Sequence, residues 1–271
     1  MIKLIAIDLD GTLLTDDHEI PKENIEAIHA AVKKGVKIVI STGRPMSGVR
    51  PIFEKLQLSE KEFVIINNGS STYETSRWQL IDYFNLTDKD VTSLYQLVEK
   101  ETDIQLTIFD EDGYYFVLAE NPLPVVTFDA NIVFVKPTPI TLEQLLERHK
   151  INFQGMYLAE PAVLDNFQKK YEAELSSRYS TVRSQNYIFE TLPKGATKAS
   201  ALMKLIEELN ISKEEVMAIG DGNNDIEMLE MAGISVAMGN AGEAVKKAAK
   251  YQTDSNNNNG LAKAINKYIL K

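Results

Sequence analysis

The sequence contains no cysteine among its 271 residues and only three histidines, which are His18, His29 and His149. The absence of cysteine excludes disulfides, thiol catalysis and cysteine metal ligands, and the scattered histidines argue against a histidine-rich metal site. No apolar run of about 20 residues is present, so the sequence predicts no membrane span. Positive charge is also scarce, because 29 lysines and arginines face 39 aspartates and glutamates, a net charge of −10. This balance argues against nucleic acid as a partner.

These absences favour a protein of a reducing compartment. The chain enters an apolar strand pattern almost at once and shows no signal-peptide pattern, so the expected location is the cytoplasm. With 44% hydrophobic and 25% charged residues the composition is that of an ordinary globular protein, and 271 residues suit one or two domains. Nothing in the composition indicates an oligomeric state.

The first strong pattern is an apolar run that ends on two carboxylates. Residues 4–7 are apolar without alternation, which predicts a strand buried on both faces, as in a parallel sheet. Asp8 and Asp10 follow, then Gly11. Ligands bind at this end of the strands in open α/β sheets, and two close carboxylates repel each other unless a cation lies between them or one is protonated. The pattern therefore predicts a hard divalent cation such as magnesium, and the alternative is a solvated turn.

Two more strands of the same kind follow within the first 70 residues. Residues 36–40 lead into Ser-Thr-Gly-Arg at 41–44, and residues 63–66 lead into Asn-Asn-Gly at 67–69. Helical patterns separate the strands. This alternation predicts an α/β fold with a Rossmann-like, doubly wound parallel sheet, and it gathers polar residues at one edge of that sheet.

The rhythm changes after residue 82. A hairpin signal at residues 111–113 precedes a predicted strand over 114–118, and a proline-rich stretch covers residues 122–139. Hairpins and runs of strands indicate a separate α+β module. The strand–helix alternation resumes at about residue 192. We therefore expect a core formed by residues 1–82 plus 192–271, with residues 83–191 inserted as a cap.

A second acidic cluster ends a buried strand in the last part of the core. Asp221 and Asp225 lie in Gly-Asp-Gly-Asn-Asn-Asp, which on its own could be a turn and helix cap. The segment lacks the spacing and the terminal glutamate of a calcium loop. Together with Asp8 and Asp10 at the like end of another strand, it predicts a cation between the clusters, because buried charges without partners are costly. The asparagine-rich residues 256–259 are expected to form a surface loop.

Further residues at this edge suit an anion. Thr42 offers a hydroxyl and Gly43 a backbone N–H without a side chain, both suited to phosphate oxygens. Lys198 is the candidate cation for the same phosphate, and its alternative interpretation is a surface lysine. A carboxylate nucleophile, a metal, a hydroxyl and a lysine together suit phosphoryl transfer. No Gly-x-Gly-x-x-Gly follows the first strand, which argues against a dinucleotide-binding enzyme.

These segments resemble the ordered motifs of the haloacid-dehalogenase-like hydrolases. Thr-Gly-Arg-Pro at 42–45, Asn-Gly at 68–69, Val-Ala-Met-Gly-Asn-Ala at 236–241 and the large insertion are similar to the Cof-type subfamily, and within it to sugar phosphatases of the YidA type. The resemblance covers the predicted core and is weaker in the cap. It implies the HAD fold with a C2-type cap, and a magnesium-dependent phosphatase that acts on small phosphorylated metabolites, above all sugar phosphates.

The resemblance also implies a role for each matching residue. Asp8 would form an aspartyl-phosphate, and Asp10 would protonate the leaving alcohol and then activate water. Magnesium would be bound by Asp8, Asp221 and the backbone carbonyl of Asp10. The residues expected to bind phosphate or substrate are Thr42, Gly43, Lys198, Asn224, Leu9 and Arg44. The residues expected to support the site are Gly11, Ser41, Asn68 and Asp225, the last by holding Lys198 or a metal-bound water.

One departure from the family pattern concerns the lysine. The motif lysine is commonly followed by glycine, but Ala199 follows Lys198, whereas Lys194 precedes a glycine. The spacing from Lys198 to Asp221 nevertheless resembles that of the family more closely than the spacing from Lys194 to Asp221 does.

Two other functions stay open at this point. A phosphotransferase or phosphomutase would pass the phosphoryl group to an acceptor sugar, and a regulatory metal-binding protein would use the same core without catalysis. The pair Asp8 and Asp10 favours an enzyme, because a protein that only binds metal needs no second carboxylate for proton transfer.

Overall fold

The computed structural model describes residues 1–58, 61–117 and 121–271. By their contacts the residues form two compact units. The first unit comprises Met1–Thr42, Phe53–Asp82 and Thr197–Lys271, and the second comprises Gly43–Ile52 and Tyr83–Ala196. Among the described residues, no helix combines the length and the apolar character needed to cross a bilayer.

Strands and helices alternate along much of the chain. The strands are β1 (Leu4–Asp8), β2 (Lys37–Ser41), β3 (Phe63–Ile66), β4 (Ser71–Glu74), β5 (Gln79–Tyr83), β6 (Ile104–Asp110), β7 (Tyr114–Val117), β8 (Thr138–Ile140), β9 (Asn152–Ala159), β10 (Ser180–Gln185), β11 (Ile188–Leu192), β12 (Val216–Gly220), β13 (Ile234–Ala237) and β14 (Tyr251–Gln252). The helices are α1 (Lys22–Lys33), α2 (Met46–Lys55), α3 (Asp88–Gln96), α4 (Pro124–Ile132), α5 (Leu142–Glu147), α6 (Pro161–Arg178), α7 (Lys198–Glu208), α8 (Ile226–Met231), α9 (Glu243–Ala248) and α10 (Gly260–Ile265).

The first unit is built on an eight-stranded sheet in the order β14-β13-β12-β1-β2-β3-β4-β5. Strand β1 pairs in parallel with both β12 and β2, and β3 continues the parallel part on the other side of β2. Strand β4 then returns antiparallel to β3. The α/β fold with a sheet that is mostly parallel, predicted from the first three strands, is confirmed.

Strand β1 lies in the centre of this sheet and is fully buried. Leu4, Ile5, Ala6 and Ile7 have no exposed surface, because neighbouring strands and helices cover both faces. Burial of such aliphatic side chains contributes about 1.5–3 kcal/mol each, so the strand is held firmly. This confirms the interpretation of the unalternating run. The rigid strand delivers Asp8 to the carboxyl edge of the sheet.

Helix α7 packs its apolar side against the same core. Leu202, Leu205 and Ile206 are buried in one cluster with Leu4 and Ala218. The helix begins directly after Thr197, whose hydroxyl accepts the Ser200 N–H while the Ser200 hydroxyl accepts the Thr197 N–H. This reciprocal cap fixes the start of the helix and places Lys198 in its first position.

The second unit is built on a six-stranded sheet in the order β10-β11-β9-β6-β7-β8. Among the described residues, the pairings in this sheet are antiparallel except that of β7 with β8. Helices α3, α5 and α6 contribute to one hydrophobic cluster, and α4 contributes to another. The predicted α+β character of this region is confirmed.

Several local features were not predicted from the sequence, or were predicted with other bounds. The proline-rich stretch contains helix α4, whose first residue is Pro124, a position where the missing N–H of proline is not needed. The sequence pattern predicts a helix near residues 162–171 and another over roughly 88–100, and the structure has both, but the first continues to Arg178 and the second ends at Gln96. The hairpin of β4 and β5 was not predicted. The predicted strand over 114–118 ends on a residue that lies outside the described residues.

The prediction of a surface loop over residues 256–259 was wrong at its first residue. Asn256 has only 2% of its surface exposed. Its side-chain amide donates to the Leu14 carbonyl at 3.1 Å and to Asp16 Oδ1 at 2.9 Å. A run of polar residues is exposed when its side chains form hydrogen bonds with water. The Asn256 amide instead forms its hydrogen bonds with the segment that follows β1.

Candidate active site

Two neighbouring strands bring acidic residues together at the carboxyl edge of the first sheet. Asp8 is the last residue of β1, and Asp221 directly follows β12, the parallel neighbour of β1. Asp225 lies one short turn further along the chain. One oxygen from each of these three carboxylates lies within 4.8 Å of the others. The expected convergence of the two acidic clusters is therefore visible in the fold.

Lys198 reaches into this cluster. Its ammonium Nζ lies 2.6 Å from Asp8 Oδ1 and 2.6 Å from Asp225 Oδ1, and the side chain is 1% exposed. It is therefore not a surface lysine. Lys194 is exposed and donates to the backbone carbonyl of Ser176 at 2.7 Å, within the second unit.

The cluster is short of positive charge. Burial raises the pKa of Asp8 well above its usual range, the charge of Asp225 adds to this rise, and Lys198 opposes it. Burial alone would lower the pKa of Lys198, but the charges of Asp225 and Asp8 raise it above its usual range, so the ammonium stays protonated. The Lys198 ammonium pairs with two of the three carboxylates, Asp8 and Asp225, and one positive charge cannot balance all three. A divalent cation would balance this charge, and a ligand set made only of oxygens suits a hard ion.

Asp221 has donors on both of its carboxylate oxygens. Thr12 Oγ1 donates to Oδ1 at 2.9 Å, and Asn240 Nδ2 donates to Oδ2 at 3.1 Å. Burial raises the pKa of Asp221, and the hydrogen bond from Thr12 opposes this rise. Each oxygen has two acceptor sites, so a metal can still be bound beside these donors. Neither donor was predicted from the sequence, although Thr12 follows Gly11 and Asn240 lies in the Met-Gly-Asn-Ala segment.

Asp225 is held differently. Its Oδ2 accepts the N–H groups of Asp221 at 3.0 Å and Gly222 at 2.9 Å, while its Oδ1 binds Lys198. A Cβ at Gly220 would lie 2.5 Å from the Asp225 Cγ, so the close packing of this carboxylate requires glycine there. Both oxygens are thus committed to the chain, and Asp225 acts as an anchor for Lys198 and for the turn.

Asp10 lies in the turn after β1, and its carboxylate is outside the buried cluster. Its side chain is 46% exposed, and Oδ1 lies 3.9 Å from His18 Nδ1. Gly11 follows with φ of +77°, a left-handed conformation that glycine adopts easily. A Cβ at Gly11 would lie 2.8 Å from the Asp221 Cγ. Leu9, which precedes Asp10, is fully buried, and its carbonyl accepts the Leu14 N–H at 2.9 Å.

Thr42, Asn68 and Asn224 are linked by hydrogen bonds across three strand ends. The Thr42 N–H donates to the Ile65 carbonyl at 2.9 Å, and the Thr42 carbonyl accepts the Asn68 N–H at 3.0 Å. Asn68, with φ of +52°, accepts Asn224 Nδ2 on its side-chain oxygen at 2.9 Å. The turns after β2, β3 and β12 therefore share one polar edge.

The remaining predicted residues lie close to Thr42 in the chain. Ser41 is fully buried in β2, opposite Asp8 in the strand register. Gly43 and Arg44 belong to the second unit, where the Arg44 guanidinium faces the Gly48 carbonyl at 3.5 Å. Their assignment to phosphate or substrate binding stays a prediction.

The chain matches the model of a known protein family over most of its length. The model of the haloacid dehalogenase-like hydrolases matches residues 5–265. The chain is a haloacid dehalogenase-like hydrolase. This hydrolase is similar to Bacillus subtilis YxeH, with 37% identity over 273 residues that cover 100% of this chain and 99% of YxeH. It is 35% identical to the 5-amino-6-(5-phospho-D-ribitylamino)uracil phosphatase YcsE of the same organism, over 99% of this chain and 96% of YcsE.

Solved structures agree with this placement. The hydrolase superimposes on the subclass IIB sugar phosphatase BT4131 with a TM-score of 0.81 and 26% identity, over 98% of each chain. The predicted family, its Cof-type subfamily and the class of the enzyme are therefore confirmed. The hydrolase acts on phosphate esters.

Proposed function

We propose that this hydrolase is a magnesium-dependent phosphatase of small phosphorylated metabolites, chiefly sugar phosphates, and that it works through an aspartyl-phosphate on Asp8. The observation that carries the proposal is the sharing of Lys198 between two buried carboxylates, Asp8 and Asp225, in a cluster whose third carboxylate, Asp221, is half-buried. Such a site attracts a divalent cation and, with it, the dianionic phosphate of a monoester.

The metal would be held by the carboxylates of Asp8 and Asp221 and by the backbone carbonyl of Asp10. When bound, magnesium neutralises charge on the phosphoryl oxygens and orients them. The Thr12 hydroxyl, which donates to Asp221 Oδ1 at 2.9 Å, fixes the direction in which that oxygen faces. The ligand set contains only oxygens, which matches the preference of magnesium.

The chemical steps belong to the two aspartates. A carboxylate oxygen of Asp8, fixed at the end of rigid β1, attacks phosphorus and displaces the alcohol oxygen. Asp10, which lies in the turn after β1, donates a proton to that oxygen as a general acid. Asp10 then takes a proton from water, and the resulting hydroxide attacks phosphorus. The acyl-phosphate bond breaks, inorganic phosphate leaves and the Asp8 carboxylate is restored.

Other residues would bind the phosphoryl group. Lys198 keeps its positive charge at the Asp8 carboxylate and would stabilise the negative charge of the transferring group. Thr42, Gly43 and Asn224 would donate hydrogen bonds to the phosphoryl oxygens. Two relatives support the substrate class, because YcsE is named for a phosphorylated ribitylaminopyrimidine and BT4131 for sugar phosphates.

The test is phosphate release from a panel of hexose, pentose and alditol phosphates and a phosphorylated ribitylaminopyrimidine, with and without Mg²⁺. We expect turnover that requires the metal. Asp8→Asn should lower it by more than about 10³-fold, because an amide is a poor nucleophile. Asp17→Asn, at an exposed position, is the control. If Asp8→Asn retains a tenth or more of the wild-type rate, Asp8 is not the nucleophile.

Product analysis separates hydrolysis from transfer. Acceptor sugars are added to the same reactions, and acid-quenched protein is digested to find the phosphorylated Asp8 peptide. Formation of a new sugar phosphate in place of inorganic phosphate would identify a phosphotransferase. Metal binding without turnover of any panel member would support a regulatory protein.

A further inference from the structure

The turn that carries Asn240 is fixed on the segment around Asn256. The Ala241 N–H donates to the Met238 carbonyl at 3.0 Å and closes the turn. The Gly239 N–H donates to the Asp254 carbonyl at 3.0 Å, and a Cβ at Gly239 would lie 2.7 Å from the Ser255 nitrogen. Glycine therefore allows two stretches of backbone to approach closely, and the turn has a fixed place on the first unit.

This anchoring sets the direction of the Asn240 amide. The backbone N–H of Asn256 donates to Asn240 Oδ1 at 3.1 Å. On its other side, Asn240 Nδ2 donates to the Gly11 carbonyl at 2.9 Å and to Asp221 Oδ2 at 3.1 Å. The partners leave one orientation for the amide, because an N–H needs an acceptor and the carbonyl and carboxylate oxygens need donors.

The amide thus joins two parts of the proposed site. Gly11 belongs to the turn that presents Asp10, and Asp221 is a proposed metal ligand on a different strand end. Asn240 Nδ2 donates one hydrogen to each, so the side chain fixes the spacing between the turn after β1 and the turn after β12. The segment over 236–241 resembles the family motif, but the proposed chemical steps give its asparagine no role.

We propose that Asn240 is a positioning residue, which orients the Asp221 carboxylate for the metal and holds the Gly11 turn beside it. This inference rests on the proposed metal site. Groups that orient a metal ligand without touching the metal commonly contribute 10–100-fold to affinity or activity. Asn240 is exposed, so its replacement leaves the buried core intact.

The test measures Mg²⁺ binding to the full-length metal-free protein by isothermal titration calorimetry, together with the melting temperature of the same samples. We expect Asn240→Ala to raise the Mg²⁺ dissociation constant about tenfold, while the metal-free protein stays folded and its melting temperature falls by no more than about 5 °C. Asn258→Ala is the matched control. Asn258 is exposed in the same part of the chain and donates to the Ser255 hydroxyl at 2.8 Å, and its loss should change the constant less than twofold.

A change below about threefold in Asn240→Ala would overturn the inference, whether or not the melting temperature falls. If Asn240→Ala does not fold, Asn240→Ser keeps a residue that favours turns and is judged by the same threshold. Wild-type protein that shows no Mg²⁺ binding would overturn both this inference and the proposed metal dependence. Normal wild-type binding with an unchanged Asn240→Ala overturns the inference alone.

Discussion

The ammonium of Lys198 lies 2.6 Å from Asp8 Oδ1, although the two residues are 190 positions apart in the sequence. The contact joins the end of the central strand β1 to the first residue of helix α7. A lysine at a helix N-terminus faces the positive end of the helix dipole, which disfavours it by about 0.3–1 kcal/mol. The carboxylates of Asp8 and Asp225 more than offset this, because both lie within 2.6 Å of the ammonium.

The two lysines near this helix should differ sharply in importance. Lys198→Ala removes the ammonium from the carboxylate cluster and should lower kcat/KM by at least about 10²-fold, the scale of losing one preorganised charged contact. Lys194→Ala removes an exposed charge and should cost less than about tenfold. Steady-state kinetics of both variants on one good substrate measures this. If Lys194→Ala is the more impaired variant, the phosphate-binding lysine lies four residues upstream.

Gly11 and Gly35 provide a matched pair for separating strain from function. Both have a left-handed backbone, with φ of +77° and +80°, but a Cβ at Gly11 would strike the Asp221 carboxylate and one at Gly35 has nothing within 4 Å. Each alanine variant should lose about 1 kcal/mol of unfolding free energy or somewhat more. Gly11→Ala alone should also lose about 10²-fold or more in kcat/KM, because Asp221 must move.

Denaturant unfolding and kinetics on the two variants check this expectation. Equal kinetic losses in both would show that the Gly11 effect comes from general destabilisation. Full activity in Gly11→Ala would mean that Asp221 can move without harm to the site.

Asp129 predicts a dependence of stability on pH. The residue is buried in the second unit, and its Oδ2 accepts the Tyr114 hydroxyl at 3.1 Å. Burial raises the pKa of Asp129 to about 6, and the Tyr114 hydrogen bond partly opposes this. The unfolded chain has a pKa near 3.9, so the native state binds more protons between about pH 4 and pH 6. Stability should therefore fall as the pH rises through this window.

Asp129→Asn removes the buried charge. At pH 8 the free energy of unfolding of the variant should exceed that of the wild type by up to about 3 kcal/mol. At pH 4 this difference should vanish. Asp103→Asn, at an exposed position in the same unit, should show no such dependence. Urea unfolding at several pH values is the measurement. A gain that is equal at pH 4 and pH 8 would contradict the assigned cause.

The division into a core and an inserted cap remains a prediction, and the second unit allows a direct test. Its six strands all fall between residues 104 and 192, and two hydrophobic clusters cover the sheet. A segment of residues 83–196 expressed alone should therefore fold and unfold cooperatively. Circular dichroism during a urea titration measures this. A segment that stays unfolded in water would show that the insertion depends on the core for its structure.

The parts of the molecule that were predicted correctly are those with local signals. Residues 4–7 have an unbroken apolar run, and that pattern alone indicates a strand in the middle of a parallel sheet. The direction of such strands then determines that Asp8 and Asp221 lie at the same edge. The apolar spacing of Leu202, Leu205, Ile206 and Leu209 predicts a helix over residues 198–209, and helix α7 ends one residue earlier, because that spacing is a local feature.

The parts that were missed depend on distant residues. Asn256 is buried because its amide donates to Leu14, more than 240 positions away, and no local pattern encodes that contact. Asn240 bonds to Gly11 across a comparable separation. Helix α4 was hidden by the prolines around it, since proline is a poor helix former except in the first turn. Hydrogen bonds across the chain, rather than propensity, decide these regions.

The separation of Asp8 from Lys198 has a consequence for the newly made protein. Ribosomes add about 5–20 residues per second, so Asp8 is synthesised roughly 10–40 s before its partner 190 positions later. Throughout that interval the nascent chain has the first strand and its carboxylate but not the lysine or β12, the neighbouring strand. A chain stalled before residue 198 would therefore carry the proposed nucleophile without the ammonium that pairs with it, so we expect enzymatic activity to begin only near the end of translation.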